Sequence, residues 1–244
     1  MRRLLFAGAL LAPCAALAGE RIPDLVNQST FAGRPVGMMV LLVVMSLVPF
    51  AAVMLTSFSK IAVVLSIARS AMGTQQSPPT IVLTGLAVVL SAHIMAPVLE
   101  AMFETGRATW DESASGAELL TTAGKVVQPL RDFLTKHGGA EERAQFLDLS
   151  RELRGPDRAD EVSEDDLAVV VPAFVITELK EAFQIGFLIF LPFLVLDMVI
   201  ANVLLALGMQ TLSPSQVSLP FKLLLFVAVD GWALLARGLV LGYR

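Results

Sequence analysis

Four apolar segments, each about as long as a lipid bilayer is thick, constrain what this chain can fold into. The first two, Gly37–Thr56 and Ile81–Leu99, contain no charged residue, and the third, Ala182–Leu207, contains only Asp197. The fourth, Leu219–Gly242, contains three charges. About 20 consecutive apolar residues cross the hydrocarbon core as a helix. Because only 16% of all residues are charged, the chain has too little charge to cover a water-soluble core. The pattern predicts an all-α membrane protein of about four long helices in hairpins.

The N-terminal part is typical of a secretory signal. Met1–Arg3 is basic, Leu4–Leu17 is apolar, and Ala16-Leu17-Ala18 has the small-x-small pattern of a cleavage site. We expect a cleaved signal peptide over residues 1–18 and a short periplasmic segment over residues 19–36. An uncleaved membrane anchor is the alternative, but about 14 apolar residues would be short for a span.

An acidic segment separates the second apolar segment from the third. Residues 104–166 hold 15 acidic and 8 basic residues, whereas the rest of the chain holds 7 acidic and 10 basic residues. Apolar spacing predicts helices over Ala117–Lys136 and Glu141–Leu153. Ser163, with Asp166 three residues later, predicts that a further helix starts here. The segment is therefore expected to be a soluble, helical, acidic insert.

These features divide the rest of the chain into a first helical hairpin (residues 37–103), the acidic insert (residues 104–166) and a long helix with a second hairpin (residues 167–244). A cleaved signal peptide leaves the new N-terminus outside the cytoplasm. The first crossing then leads to a basic connection that contains Lys60, in agreement with the positive-inside rule. The second crossing returns the insert to the periplasmic side.

Several classes of function are excluded or disfavoured by composition. A net charge of −4 argues against a nucleic-acid-binding protein. One cysteine and two histidines leave no disulfide framework and make a zinc site hardly possible. No Ser/His or Asp/Asp arrangement supports an intramembrane hydrolase. We therefore expect no enzymatic activity, no metal and no cofactor.

Charges inside the last two apolar segments need partners, because a charge at the bilayer centre costs about 2.5–3.5 kcal/mol on insertion scales. If the hairpin folds about Ser213, Asp197 lies level with Asp230, whereas Lys222 lies about 10 Å away along the axis. A single hairpin would thus pair these charges badly, and we expect a neighbouring subunit to satisfy Lys222. The alternative is that Lys222 and Arg237 extend to the two ends of the span.

A second group of charges lies before the third apolar segment. Glu178 and Lys180 belong to the sequence Glu178–Glu181, between two apolar runs. A continuous membrane helix with these charges would be costly. The sequence therefore indicates that this helix lies partly outside lipid or is covered by protein.

The tip of the second hairpin is uncharged and contains Gly208, Met209 and Gln210. One interpretation is a simple turn, with Gly208 as the C-cap and Pro214 starting the next helix. The other is a deformable plug, since methionine fills irregular gaps. The residues alone leave both interpretations open.

Three parts of the chain resemble the FliP/SctR family, the R-type core subunits of type III protein export apparatus. They are Thr56–Lys60 with Gly73–Pro79, Pro172–Leu179 with Ala182–Phe187, and Leu219–Phe226 with Val229–Trp232. The resemblance runs from about residue 37 to the C-terminus, and the acidic insert matches only in character.

This resemblance implies a bacterial inner-membrane protein that assembles as a pentamer with small Q/S-type and R/T-type subunits and other export apparatus proteins. The hairpins would form a ring-shaped pore for unfolded secreted proteins. Met209 would be the main gate residue, with Gly208 and Gln210 as accessories. Asp197, Lys222, Asp230, Glu178 and Lys180 would be buried charges that support assembly.

The family has a virulence-type injectisome branch and a flagellar branch. The signal peptide is closer to the flagellar branch. The tip, however, departs from the methionine triplet common in flagellar members, and His93–Pro97 also resembles the injectisome branch. We favour an injectisome subunit, with a flagellar subunit as the alternative. A small secondary transporter or proton channel that uses Asp197 and Asp230 is a more distant alternative, and no inverted repeat supports it.

Overall fold

A computed structural model of the chain describes residues 35–74, 77–109, 116–209 and 211–244, and these residues form helices and connections without any strand. The expected signal peptide, most of the segment over residues 19–36, and Gln210 lie outside the described residues. The helices are α1 (Pro35–Met54), α2 (Phe58–Ala71), α3 (Thr80–Thr109), α4 (Gly116–His137), α5 (Ala140–Arg154), a 3-10 helix (Pro156–Glu161), α6 (Leu167–Ala206), α7 (Pro214–Ala228) and α8 (Gly231–Leu241).

The chain divides into two compact units, Met1–Ala51 and Ala52–Arg244. In the first unit, α1 exposes large apolar side chains around its circumference, among them Leu42, Met45 and Phe50. A helix that is apolar on all sides is typical of a membrane span or of a helix covered by other subunits.

Two helices of the described chain, α3 and α6, are long and apolar enough to cross a membrane, and up to four spans result if each of two bent helix pairs counts as one. This confirms an all-helical protein with membrane-spanning segments. Helix α6 has 40 residues, so its length is about 60 Å. That is about twice the thickness of the hydrocarbon core. Part of α6 must therefore extend beyond any bilayer that it crosses.

Helix α2 is an element that the sequence analysis did not identify. Residues 58–71 were expected to belong to a cytoplasmic connection, but they form a helix with one buried face. Ile61, Val64, Leu65 and Ala68 are at most 1% exposed and follow helical spacing. This face packs against α3 and α6 in a shared apolar core that includes Leu83, Ala87 and Ala182. The apolar side chains of this short segment therefore pack inside the protein.

The insert is helical as predicted, and α4 and α5 match the two predicted ranges within a few residues. The apolar face of α4 packs on α6, where Phe133 and Leu134 contact Val170 and Phe174. The expected boundary at residue 104 lies inside α3, which continues to Thr109.

The predicted start of the long helix is confirmed, since α6 begins at Leu167. The capping box is only half formed. The backbone N–H of Ser163 donates to the Asp166 carboxylate (3.0 Å), but the Ser163 hydroxyl accepts from Asp165. Residues 164 and 165 form a turn, so Asp166 itself occupies the N-cap position.

The fourth apolar segment is not one helix. It breaks at Asp230, whose φ of 51° and ψ of 51° are left-handed, and α7 and α8 meet at an angle of 57°. The expectation of Asp230 as a charge inside a continuous helix is therefore wrong, and its carboxylate is exposed at the start of α8. The break lets Phe226 pack edge-on against Trp232, with ring centroids 5.0 Å apart.

Gly186 permits a close contact between α2 and α6. A Cβ atom at this position would lie 3.2 Å from Cβ of Ile67 and closer still to the rest of that side chain. We expect Gly186→Ala to lower the free energy of unfolding by about 1–3 kcal/mol, the usual effect of overpacking. The matched control is Gly85→Ala in α3, where nothing lies within 4 Å of the new Cβ. This control should be neutral or stabilise by up to about 1 kcal/mol. Thermal unfolding in detergent measures both, and equal behaviour of the two variants would contradict the close contact.

Candidate functional site: the long hairpin and its ion pairs

The carboxylate of Glu178, in α6, is completely buried. Lys60 of α2 contacts it, with Nζ 2.8 Å from Oε1. The same ammonium lies 2.6 Å from Oε2 of Glu181, whose side chain is 47% exposed. Removing a charge from water costs several kcal/mol unless a partner compensates it. Lys60 therefore balances Glu178 and joins α2 to one turn of α6.

Tyr243 completes this network. Its hydroxyl donates a hydrogen bond to Oε2 of Glu178, and Nζ of Lys60 lies 4.3 Å from the centroid of its ring. The ring also stacks on the Phe133 ring and contacts the His137 ring, with ring centroids 6.0 Å and 5.1 Å away, respectively. Burial, then the charge of Glu178, raises the pKa of Tyr243, so the phenol remains a donor at neutral pH. Burial, followed by the charges of Lys136 and Lys60, lowers the pKa of His137.

Lys180 faces away from this core and contacts the insert. Its Nζ lies 2.9 Å from Oε1 of Glu142 and 3.7 Å from Oε2 of Glu141, both in the first turn of α5. The hydrogen bond from Lys180 lowers the pKa of Glu142. Nearby, the backbone N–H of Gly139 donates to the hydroxyl of Thr177 (2.8 Å). One turn of α6 thus contacts α2, α5 and Tyr243.

The second ion pair lies near the tip of the hairpin. Nζ of Lys222 in α7 is 2.6 Å from Oδ2 of Asp197 in α6, and the hydroxyl of Ser218 donates to Oδ1 at 2.5 Å. Lys222 is 7% exposed and Asp197 is 37% exposed. The expectation that a single hairpin pairs these charges badly is wrong, because the chain pairs them internally. The pairing also leaves Asp197 engaged by a cation, and Asp230 is exposed at a helix break, so these acids give the transporter interpretation no support.

The error came from the position assumed for the turn. Helix α6 ends at Ala206 and α7 begins at Pro214, so the fold centre lies near residue 210, three residues before Ser213. The position midway between Asp197 and Lys222 falls between residues 209 and 210. A shift of three residues in the turn moves the facing position by six residues, which brings Lys222 to the level of Asp197.

The tip itself is an ordered turn. Gly208 has a φ of 72°, its N–H donates to the carbonyl of Leu205, and the N–H of Met209 donates to the carbonyl of Leu204. This is the Schellman pattern at a helix C-terminus. The predicted turn, with Gly208 as the cap and Pro214 starting the next helix, is confirmed. Met209 is 47% exposed, and Gln210 lies outside the described residues.

Two residues of the buried network were missed in the sequence. Lys60 was assigned to a loop, although it lies in the Thr56–Lys60 part of the resemblance. Tyr243 is the only tyrosine of the chain and follows an apolar segment, a position that signals a polar partner at its end. Within the described ranges, no group of three or more His, Cys, Asp or Glu side chains could hold a metal ion. The arrangement is that of charges which join helices.

Comparisons with known proteins agree with this description. The FliP family model matches residues 41–239. The chain is 47% identical over 212 residues to the hypersensitivity response secretion protein HrcR of Ralstonia nicotianae, covering 85% of this chain and 96% of that protein. It is 44% identical over 230 residues to the Yop proteins translocation protein R of Yersinia pestis (91% and 98% covered). It is 42% identical over 236 residues to the flagellar biosynthetic protein FliP of Caulobacter vibrioides (95% and 85% covered). The residues matched by the family model include both ion pairs but not Tyr243.

The two ion pairs should differ in what their loss costs. Lys60→Met leaves the fully buried Glu178 with Tyr243 as its neighbour, and breaking such a pair typically costs about 3–5 kcal/mol. Lys222→Met leaves Asp197 partly in water and still bonded to Ser218, so we expect about 1–2 kcal/mol. Lys180→Met, at a half-exposed pair, is the control and should cost less than about 1 kcal/mol. Denaturant unfolding in detergent measures the free energy of unfolding of the three variants. An equal loss of this free energy for Lys60→Met and Lys222→Met would contradict the prediction.

Proposed function

This chain belongs to the FliP family, and we propose that it is a pore subunit of the type III protein export gate of a virulence-type injectisome in the bacterial inner membrane. The single observation that carries the proposal is the α6–α7 hairpin: its two helices are held together by the Lys222–Asp197 pair, and its tip presents Met209. Such a hairpin is a stiff element that can line a channel without performing chemistry. The subunit would line and seal the channel, and the substrate that passes through it would be an unfolded secreted protein.

A homo-oligomeric ring, a pentamer by family resemblance, is supported by the exposed apolar surface of the isolated chain. Large exposed apolar patches mark protein or membrane contacts. On α6 and α7 they include Phe183, Phe187, Leu188, Val195, Met198, Phe221, Leu224 and Val227. We assign these faces to neighbouring copies, to the small Q/S-type and R/T-type subunits, to other export apparatus proteins and to lipid. Because the proposed substrate is a polypeptide, we expect no nucleic acid among the partners.

The disposition of the insert is also part of the proposal. Residues 104–166 carry a net charge of −7, and α4 and α5 expose charged side chains while they pack on α3 and α6 through apolar ones. We place this lobe in the periplasm, because the two preceding apolar segments return the chain to that side. Lys180, Glu141 and Glu142 then join the lobe to the long helix.

The gate is assigned to the tip. A pore wide enough for an unfolded chain must not leak ions at rest, and apolar constrictions close pores by dewetting. Met209 ends the Schellman turn, and Leu207 and Leu212, which are close to it in sequence, are also exposed, so copies of the tip that converge on an axis would form an apolar ring. Gly208 supplies the left-handed residue that the turn needs, and Gln210 is an accessory of the ring.

The injectisome branch is distinguished from the flagellar branch by the host phenotype. The relatives named for hypersensitivity response secretion and for Yop protein translocation are 47% and 44% identical, and one of the flagellar relatives is 42% identical. Deletion of the gene should abolish secretion of injectisome effectors into the medium and leave swimming motility at the wild-type level. The chain supplied from a plasmid should restore secretion. Lost motility with intact effector secretion would establish the flagellar alternative instead.

Met209→Ser tests the gate directly. The substitution removes an apolar side chain from the constriction and should raise the permeability of the inner membrane to small solutes when the other export subunits are present. The control is Met198→Ser, the same substitution at an exposed position of α6, 58% exposed in the isolated chain and 11 residues before the tip. Both variants must assemble to the wild-type level, as judged by co-purification of the partner subunits. A Met209→Ser membrane as tight as that of Met198→Ser would place the seal elsewhere.

A further inference from the structure

The bend between α7 and α8 depends on a strained residue. Asp230 adopts φ 51° and ψ 51°, a region that costs a non-glycine residue about 1–3 kcal/mol and persists only when its surroundings hold it. An ordinary helical conformation at Asp230 would join α7 and α8 into one straight helix. Something must therefore hold α8 at its angle of 57° to α7.

Contacts next to the bend fix its local geometry. Phe226 and Trp232 pack edge-on, and Gly231 leaves no room for a Cβ atom beside the Phe226 ring. These residues lie within about one turn of Asp230, so they constrain the chain close to the bend. The position of the other end of α8 depends also on the contacts made there.

The other end of α8 is attached to the core by two residues. Leu239 packs with Ile61, Leu65 and Ala182, and Tyr243 packs with Phe133 and Phe174. Tyr243 is also bound by polar contacts, since it donates to Oε2 of Glu178 while Lys60 binds Oε1. Oε2 of this buried carboxylate thus accepts a hydrogen bond, whereas Oε1 has the ion-pair contact with Lys60 and accepts no hydrogen bond from any described residue. Loss of the phenol would leave Oε2 as a buried acceptor without its donor, which is costly.

We infer that Tyr243 is a positioning residue that, through Glu178 of α6 and Lys60 of α2, anchors the end of α8 to the core and so maintains the bend at Asp230. The distance from Asp230 to Leu241 is 11 residues, or about 16 Å of helix. A rotation of α8 by the full bend angle would move Leu241 by about 15 Å. The Lys222–Asp197 pair lies on the other side of the bend and does not depend on this contact. Under the proposed function, Tyr243 would set the base of the hairpin whose tip closes the pore.

Distances between spin labels test this inference on the full chain in detergent. With Cys14 replaced by serine, labels at Phe183→Cys and Leu241→Cys report on α6 and the end of α8, both at exposed positions. Dilution with an excess of unlabelled protein removes distances between chains. In the Tyr243→Ala background we expect a second population, in which the distance between the two labels differs from that of the chain with Tyr243 by up to on the order of 15 Å, because α8 changes its angle to α7. A distribution identical to that of the chain with Tyr243 would overturn the inference.

A second label pair controls for general loosening. Met198→Cys and Phe221→Cys report on the hairpin near its own ion pair and should give the same distance in every background. Changed distances in both pairs together would mean that Tyr243 supports the whole fold and does not position α8, which would also overturn the inference. The measurement uses the isolated chain, so it is independent of whether the chain forms a gate.

Tyr243→Phe keeps the ring and removes the hydroxyl, and it guards against a variant that fails to fold. We expect its unfolding temperature to fall in the wild-type background and to fall significantly less in the Glu178→Gln background, because the carboxylate that needs the donor is gone. In the Asp197→Asn background the effect of Tyr243→Phe should be the same as in the wild type. Equal effects in all three backgrounds would show that the hydroxyl does not act through Glu178.

Discussion

The fully buried carboxylate of Glu178 is the constraint on which the rest of the structure depends. A charge without water requires partners close at hand, and neither partner is local in sequence: Lys60 precedes Glu178 by more than a hundred residues and Tyr243 follows it by 65. The fold must therefore bring α2 and the end of α8 to the same turn of α6. Once they are there, the apolar faces of α2 and α4 are in register with the core. The polar contact defines the arrangement, and the apolar contacts supply most of the stabilisation.

The second ion pair lies 19 residues further along α6, at Asp197, and therefore about 28 Å from Glu178. The two pairs bracket a stretch of helix about as long as a hydrocarbon core is thick. Between them α6 exposes Phe183, Phe187, Leu191 and Leu194. The charges are thus placed where they join helices of the same chain, and the surface between them is left for neighbours. A long helix can then carry charges and still present one continuous apolar face.

Periodicity and segment length were sufficient to predict the helices of the insert, the long apolar helices and the start of α6, because each is determined by residues that are adjacent in sequence. Helix α2 was missed because its apolar face is short and its charge at Lys60 resembles that of a loop. The break at Asp230 was missed because it lies inside a long apolar segment that was assigned as one helix, although Asp230-Gly231 is a dipeptide that marks turns. The partner of Lys222 was misjudged because a facing position in a hairpin shifts by two residues for every residue of error in the turn. The packing of α2 and the partner of Lys222 depend on the distance between segments that are far apart in sequence. Local sequence patterns carry no information about such distances.

Stability and the proposed gating are separated along the long hairpin. All ion pairs of α6 in the described part of the chain lie at or before Asp197, and Gly208 follows it by 11 residues, or about 16 Å of helix. The start of the turn is held by backbone hydrogen bonds at Gly208 and Met209. A turn that is held by backbone hydrogen bonds does not depend on the identity of most of its side chains. Met209 is therefore free to be selected for what it contacts outside its own chain, which is the condition that a deformable seal must meet.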